Sequence, residues 1–129
     1  MKKIVSVALV VCLLSALCAL CLTGCALFKS ISLDDTKTNL EAADYEVTVL
    51  TGEQYVESEG AYPTIMAHEL ENYLYAVKGE DEIRIFFFAS TDYASDNYGF
   101  MTSEKKLSSA QLNNVVYFAT KQAKADAKI

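Results

Sequence analysis

Cysteine is absent beyond residue 25: Cys12, Cys18, Cys21 and Cys25 are the only four. A body built from residues 26–129 can therefore hold no disulfide framework, no catalytic thiol and no cysteine metal site. Histidine is represented by His68 alone, in His68-Glu69-Leu70-Glu71-Asn72. A zinc-protease helix needs a second histidine four residues on, so that both face one metal, and Asn72 stands there. Positive charge is also short, with 11 Lys/Arg against 17 Asp/Glu and a net charge of −6. Such a surface is repelled by phosphates, so no nucleic-acid partner is expected, and no polybasic hold on a membrane. The acids are scattered rather than blocked. Glu53, Glu57 and Glu59 lack the close, regular spacing of a calcium loop. There is no Gly-x-Ser-x-Gly elbow, no internal repeat and no low-complexity tract. No catalytic residue, metal site or cofactor is expected on these grounds.

What is present begins at the amino terminus. Lys2 and Lys3 precede an uncharged run from Ile4 to Leu22, and Leu22-Thr23-Gly24-Cys25 closes it. A positive start, an apolar middle and small residues at the cut describe a secretory leader. The run approaches the ~20 apolar residues of a membrane span. A retained helix would not need Thr23 and Gly24 placed directly before a cysteine. Neither Cys18 nor Cys21 has that context. The pattern resembles the lipobox of bacterial lipoproteins. That resemblance implies cleavage before Cys25, recognition of Leu22, Thr23 and Gly24 by the signal peptidase, and acylation of Cys25 by fatty chains such as palmitate. Two or more chains anchor stably where one is marginal, at roughly 0.8 kcal/mol per buried methylene.

The expected organisation is a signal peptide over 1–24, a lipidated cysteine and short tether over 25–31, and one domain over 32–129. The mature chain would be 105 residues, with 9 Lys/Arg against 17 Asp/Glu and a net charge of −8. That length suits one small domain. The eight residues from Cys25 to Leu33 reach at most about 28 Å. Leu27 and Phe28 belong either to the membrane interface, with Lys29 outside it, or to the edge of the domain.

Ser32-x-x-Asp35 matches a capping pattern, and Asp34 and Asp35 suit the positive end of a helix dipole. Leu33, Leu40 and Ala43 share a face of that helix, which ends at Asp44-Tyr45. Strands are expected over 45–50, 73–78, 83–89 and 115–119. Residues 52–63 read as a surface loop. Thr64–Glu71 reads as a short helix with Ile65, Met66 and Leu70 inward. Thr91–Met101 reads as another helix, Ser103–Ala110 as a polar connection, and Asn113-Asn114 as a turn. Thr120 is placed to cap a last helix, in which Ala123 and Ala127 share a side. The fold class is α+β: a single small domain with about four strands in an antiparallel or mixed sheet and helices mainly on one face.

The strongest pattern is a hairpin joining Tyr73–Val77 to Ile83–Phe88. With its turn centred on Glu80-Asp81, Val77 would face Arg84, Tyr75 would face Phe86 and Tyr73 would face Phe88. One face then carries Leu74, Ala76, Ile85 and Phe87, a core for helices to cover. The other carries Tyr73, Tyr75, Phe86 and Phe88. Either another segment covers that aromatic face, or it is a partner-binding surface.

Leu40-Glu41-Ala42-Ala43-Asp44-Tyr45-Glu46-Val47, the hairpin sequences, and Asn114–Ala123 resemble a group of small, uncharacterised lipoproteins of Gram-positive, Firmicute-type bacteria. The resemblance covers about a third of the mature chain and carries no agreed activity. The expected role is a lipid-anchored, extracytoplasmic, non-enzymatic binding or interaction module with an envelope protein as partner. It would sit on the outer face of the cell membrane, or in the outer membrane of a Gram-negative host. The alternative is a small envelope enzyme such as a wall-directed hydrolase, for which paired carboxylates would be required. A solute-binding component of a transporter would need a longer, two-lobed chain. Intact-mass analysis of native material is expected to show a chain beginning at an acylated Cys25. A free thiol there, or a retained leader, would exclude the anchor.

Overall fold

The computed structural model describes residues 30–102 and 106–129. The leader, Leu22–Cys25, Leu27, Phe28, Lys29 and Lys105 lie outside the described residues. Residues Ile31–Ile129 form one compact unit of α+β class, in which the described residues make four helices and a five-stranded antiparallel sheet. Among the described residues no helix is long and apolar enough to cross a membrane.

Helix α1 (Leu33–Ala42) starts where Ser32 Oγ accepts from Asp35 N–H, with Asp34 and Asp35 in the first turn. It buries Leu40 and Thr36, with Leu33 and Ala43 half-buried beside them. Asp44, at φ 68°, turns the chain into strand β1 (Glu46–Thr51).

The segment after β1 departs from the expected loop. Helix α2 (Gly52–Glu57) forms there, closed by a reciprocal capping box. Gln54 N–H donates to Thr51 Oγ1 at 3.2 Å, and Thr51 N–H donates to Gln54 Oε1 at 2.9 Å. Two backbone donors that the helix start would otherwise leave orphaned are thereby satisfied. Only glycine fits at position 52, since a Cβ there would lie 1.9 Å from the Leu70 carbonyl oxygen.

The helix expected over Thr64–Glu71 does not form. The chain makes a turn from Met66 to Glu69, closed by Glu69 N–H to Met66 O at 3.0 Å and Met66 N–H to the Glu69 carboxylate at 3.0 Å. Ile65 and Leu70 are buried as expected, whereas Met66 is 59 % exposed. Leu70 already belongs to strand β2 (Leu70–Lys78), opposite Phe88.

Strand β3 (Asp81–Phe88) returns from β2 through a two-residue turn, Gly79-Glu80, with Gly79 at φ +60°. The turn closes one residue earlier than expected because the positive φ falls to glycine. The pairing therefore shifts by two. Val77 lies opposite Glu82, Tyr75 opposite Arg84 and Tyr73 opposite Phe86. An even shift keeps every side chain on its face. Leu74, Ala76, Ile85 and Phe87 share one core cluster, and Tyr73, Phe86 and Phe88 share the other.

Helix α3 (Thr91–Tyr98) is capped by Ser90 and buries Ala94 and Asn97. Strand β4 (Ser108–Leu112) then pairs with β5 (Val115–Ala119) around Asn113-Asn114, where Asn113 takes φ 54°. The fifth strand was not expected, because Ser-Ser-Ala-Gln-Leu shows little apolar alternation and sits at the sheet edge. The sheet order is β1-β2-β3-β5-β4.

Helices cover both faces of this sheet rather than mainly one. Helix α1 and the last helix, α4 (Lys121–Ala127), pack over Leu74, Ile85, Phe87 and Tyr117. Helices α2 and α3, with the segment between α2 and β2, pack over Phe86, Phe88, Val116 and Phe118. All five residues of β5 are buried. A strand apolar on both sides must be covered on both sides.

Thr120 joins the two halves. Its Oγ1 accepts from Ala123 N–H at the start of α4 and from Glu82 N–H in β3 at 3.2 Å, and donates to Asp81 Oδ1 at 3.0 Å. Replacing Thr120 by Val keeps the shape but strands the buried Glu82 N–H. We expect Thr120→Val to lose about 1–3 kcal/mol in urea denaturation. Thr120→Ser should lose clearly less, and equal losses would refute the role of the hydroxyl.

A half-open sheet face as candidate functional site

Tyr73, Tyr75, Phe86 and Phe88 do lie on one side of the β2/β3 hairpin, but they do not form one open surface. Phe86 and Phe88 are 1 % and 0 % exposed. Tyr55 from α2 meets Phe86 edge-on at 5.6 Å between ring centroids, and Tyr62 meets it at 5.6 Å. Tyr62 also stacks on Phe118 at 5.8 Å, while Tyr55 packs on Tyr73 at 4.9 Å. The two phenylalanines are therefore core residues, unavailable to a partner. The cover comes from residues 52–65, the stretch in which helix α2 replaces the expected loop.

Register shows what stays open. One row across the sheet runs Thr48, Tyr75, Arg84, Phe118, Ser109. Phe118 lies under Tyr62, but Thr48 is exposed and Tyr75 and Arg84 are half-exposed. The next row toward the hairpin turn brings in Glu82. Its carboxylate is nearly buried, 8 % exposed, and bridges two cations. Lys106 Nζ lies 2.8 Å from Oε1, and Arg84 Nη2 donates to Oε2 at 3.2 Å. The Lys106 hydrogen bond, with Arg84 adding to it, holds the Glu82 carboxyl below the usual carboxylate range against the opposing effect of burial.

Arg84 carries the least ordinary environment. Its guanidinium carbon stands 5.7 Å from the centre of the Tyr75 ring. Its Nε–H is buried and has no hydrogen-bond acceptor among the described residues. Burial works against its charge, but the pairing with Glu82 offsets that, and its pKa lies above the ordinary arginine value. Burial likewise pushes the Tyr73 hydroxyl well above the usual tyrosine range. A guanidinium held against a phenol ring can stack on planar groups and donate to oxygen atoms in a fixed fork.

The sequence held a signal for this site. Arg84 is the one charged residue inside Ile83–Phe88, and Glu82 stands two residues before it, hence on the same face of a strand. Nothing in the sequence pointed to Lys106, which arrives from before β4. A separate cleft of about 390 Å³ is lined by Tyr55, Val56, Glu59, Tyr62 and Pro63. His68 is exposed and meets Tyr93 edge-on at 5.8 Å. Among the described residues no group of three or more His, Cys, Asp or Glu side chains comes together to hold a metal ion.

The depressed Glu82 carboxyl has a pH consequence. A carboxyl whose folded value lies below its unfolded one contributes stability above the unfolded value, about pH 4.3, and loses it as pH falls through the folded value. At about pH 7 we expect Glu82→Gln to cost roughly 1–3 kcal/mol in urea denaturation. That difference should shrink as the pH is lowered through about 4 toward 2. A difference unchanged at low pH would refute the charged role of Glu82.

No protein-family model, curated protein or solved structure matches the chain.

Proposed function

We propose that the chain is a lipid-anchored, extracytoplasmic, non-enzymatic binding module. It meets an envelope partner through the open strip Thr48–Tyr75–Arg84 of its sheet. The observation that carries the reading is the division of one sheet face into a closed part over Phe86 and Phe88 and an open part over Tyr75 and Arg84. Arginine and tyrosine recognise other groups well, through charge, stacking and hydrogen bonds, and both are enriched where binding energy concentrates.

The anchor rests on Leu22-Thr23-Gly24-Cys25. The compact unit begins at Ile31, six residues past Cys25. Six residues span at most about 21 Å, so an acylated Cys25 would keep the domain within reach of the membrane surface. With a net charge of −8, the body is repelled by anionic head groups and held by its acyl chains rather than by its surface. The host's envelope decides between the cell membrane and an outer membrane.

In-cell photo-crosslinking tests the reading. A photoreactive residue at Thr48 should capture a discrete partner, and the adduct should disappear in the Cys25→Ser variant. The same residue at Lys121, exposed on α4 at the other face, should capture none. Equal capture from both positions would overturn the strip as the binding surface.

A further inference from the structure

Independently of that strip, we propose that the cleft at the carboxyl end of helix α2 takes a lysine side chain from a basic segment of a protein partner. None of Thr48, Tyr75 and Arg84 lines this cleft. Its volume, about 390 Å³, lies near the lower end of ligand clefts, which run from about 300 to 1,000 Å³. That suits one long side chain. Val56, Pro63 and Ile65 give it apolar walls beside the rings of Tyr55 and Tyr62, and Glu59 supplies its one charged group. Val56 is 43 % exposed, so part of the apolar wall faces water.

The cleft is built rather than incidental. The Tyr55 hydroxyl accepts from Tyr62 N–H at 3.2 Å, and Ser58 Oγ donates to the Tyr55 carbonyl at 2.8 Å. The backbone at Gly60 lies directly on the Tyr55 ring, since a Cβ there would stand 2.2 Å from Cζ. Helix α2 ends with Glu59 at φ 54°, the left-handed position that glycine or asparagine usually fills. A glutamate is locally ill suited to it, yet its carboxylate is what the cleft presents to solvent.

Charge selects the occupant. Residues 38–77 contain eight acids, Glu53, Glu57 and Glu59 among them, and no lysine or arginine. The ion pairs among the described residues join Lys37 to Glu41, and Arg84 and Lys106 to Glu82. Glu53, Glu57 and Glu59 are exposed and make none. A net charge of −8 also draws cationic segments toward the body. Lysine matches both halves of the cleft, because its four-carbon stem lies along apolar surface while the ammonium stays in water, here beside Glu59. An acidic ligand would meet Glu59 as a like charge, and a neutral one would gain nothing from it. A two-carbon aminolipid head group is too short to use the apolar walls.

The test uses the full-length chain in detergent micelles, with the methyl NMR signals of Val56 and Ile65 as the readout. The probes are the Nα-acetyl methylamides of lysine, norleucine and glutamate, and free ethanolamine. We expect saturable shifts from the lysine compound, with affinity about two- to fivefold above that of norleucine, the range of an exposed ion pair. The glutamate compound and ethanolamine should give weaker shifts than norleucine. Glu59→Gln should bring lysine down to the norleucine level, and added salt should do the same in the unaltered chain. Val56→Ser should weaken both compounds, which separates the wall from the charge. Equal affinity for lysine and norleucine, or a lysine affinity unchanged in Glu59→Gln, would overturn the proposal. So would ethanolamine matching lysine, which would point to an amine head group, or the absence of any saturable shift.

Discussion

Ile83, Ile85 and Phe87 leave strand β3 on one side, Phe86 and Phe88 on the other, and all five are withdrawn from water. Strand β5 beside it is buried at every position. Fully burying side chains of this size contributes about 1.5–3 kcal/mol each, which makes two covered faces a requirement rather than an option. The rest of the architecture follows from that requirement. Helices α1 and α4 close one face. Helix α2, the irregular segment behind it and helix α3 close most of the other. Where the second cover stops, near Tyr75 and Arg84, the sheet surface meets solvent and the candidate site begins.

The end of the sheet that carries this site is pinned from several directions. Thr120 caps α4 and at the same time accepts the Glu82 N–H. Glu82 turns its carboxylate to the opposite face from α4, toward Arg84 and Lys106. A helix cap on one side of the sheet thereby holds the base of an ion cluster on the other. The Tyr45 hydroxyl donates to Asp126 at 2.8 Å and Asn39 donates to the Ala127 carbonyl, tying α1 to α4 over the same strands. The candidate site therefore stands on elements tied together on both faces of the sheet.

Local chemistry made parts of this legible beforehand. Ser32 and Thr120 act as helix caps because their side chains satisfy orphan N–H groups within three residues, an interaction that needs no distant partner. The two hairpin strands and their division into faces were readable from β-prone runs of alternating orientation. Their exact pairing depends on Gly79 taking the positive φ, yet the resulting shift of two residues is even and leaves the faces intact. Capping chemistry is equally present in Thr51-Gly52-Glu53-Gln54, although the polar composition of the stretch matches that of a loop. Strand β4 was harder to see. Ser108–Leu112 becomes a strand because β5 offers an unpaired edge, and a polar segment carries little sign of that.

Face-sharing of Tyr73, Tyr75, Phe86 and Phe88, the helices capped by Ser32 and Thr120, and the α+β class were determined by the sequence alone, because each follows from backbone period and short-range hydrogen bonds. Which of those aromatic residues reach water was decided only by tertiary structure. Tyr55 and Tyr62 come from 31 and 24 residues before Phe86 to close over it, and Lys106 comes from beyond α3 to pair with Glu82. Such contacts depend on where the whole chain is folded back, since burial is a property of the assembled layers and not of any one segment.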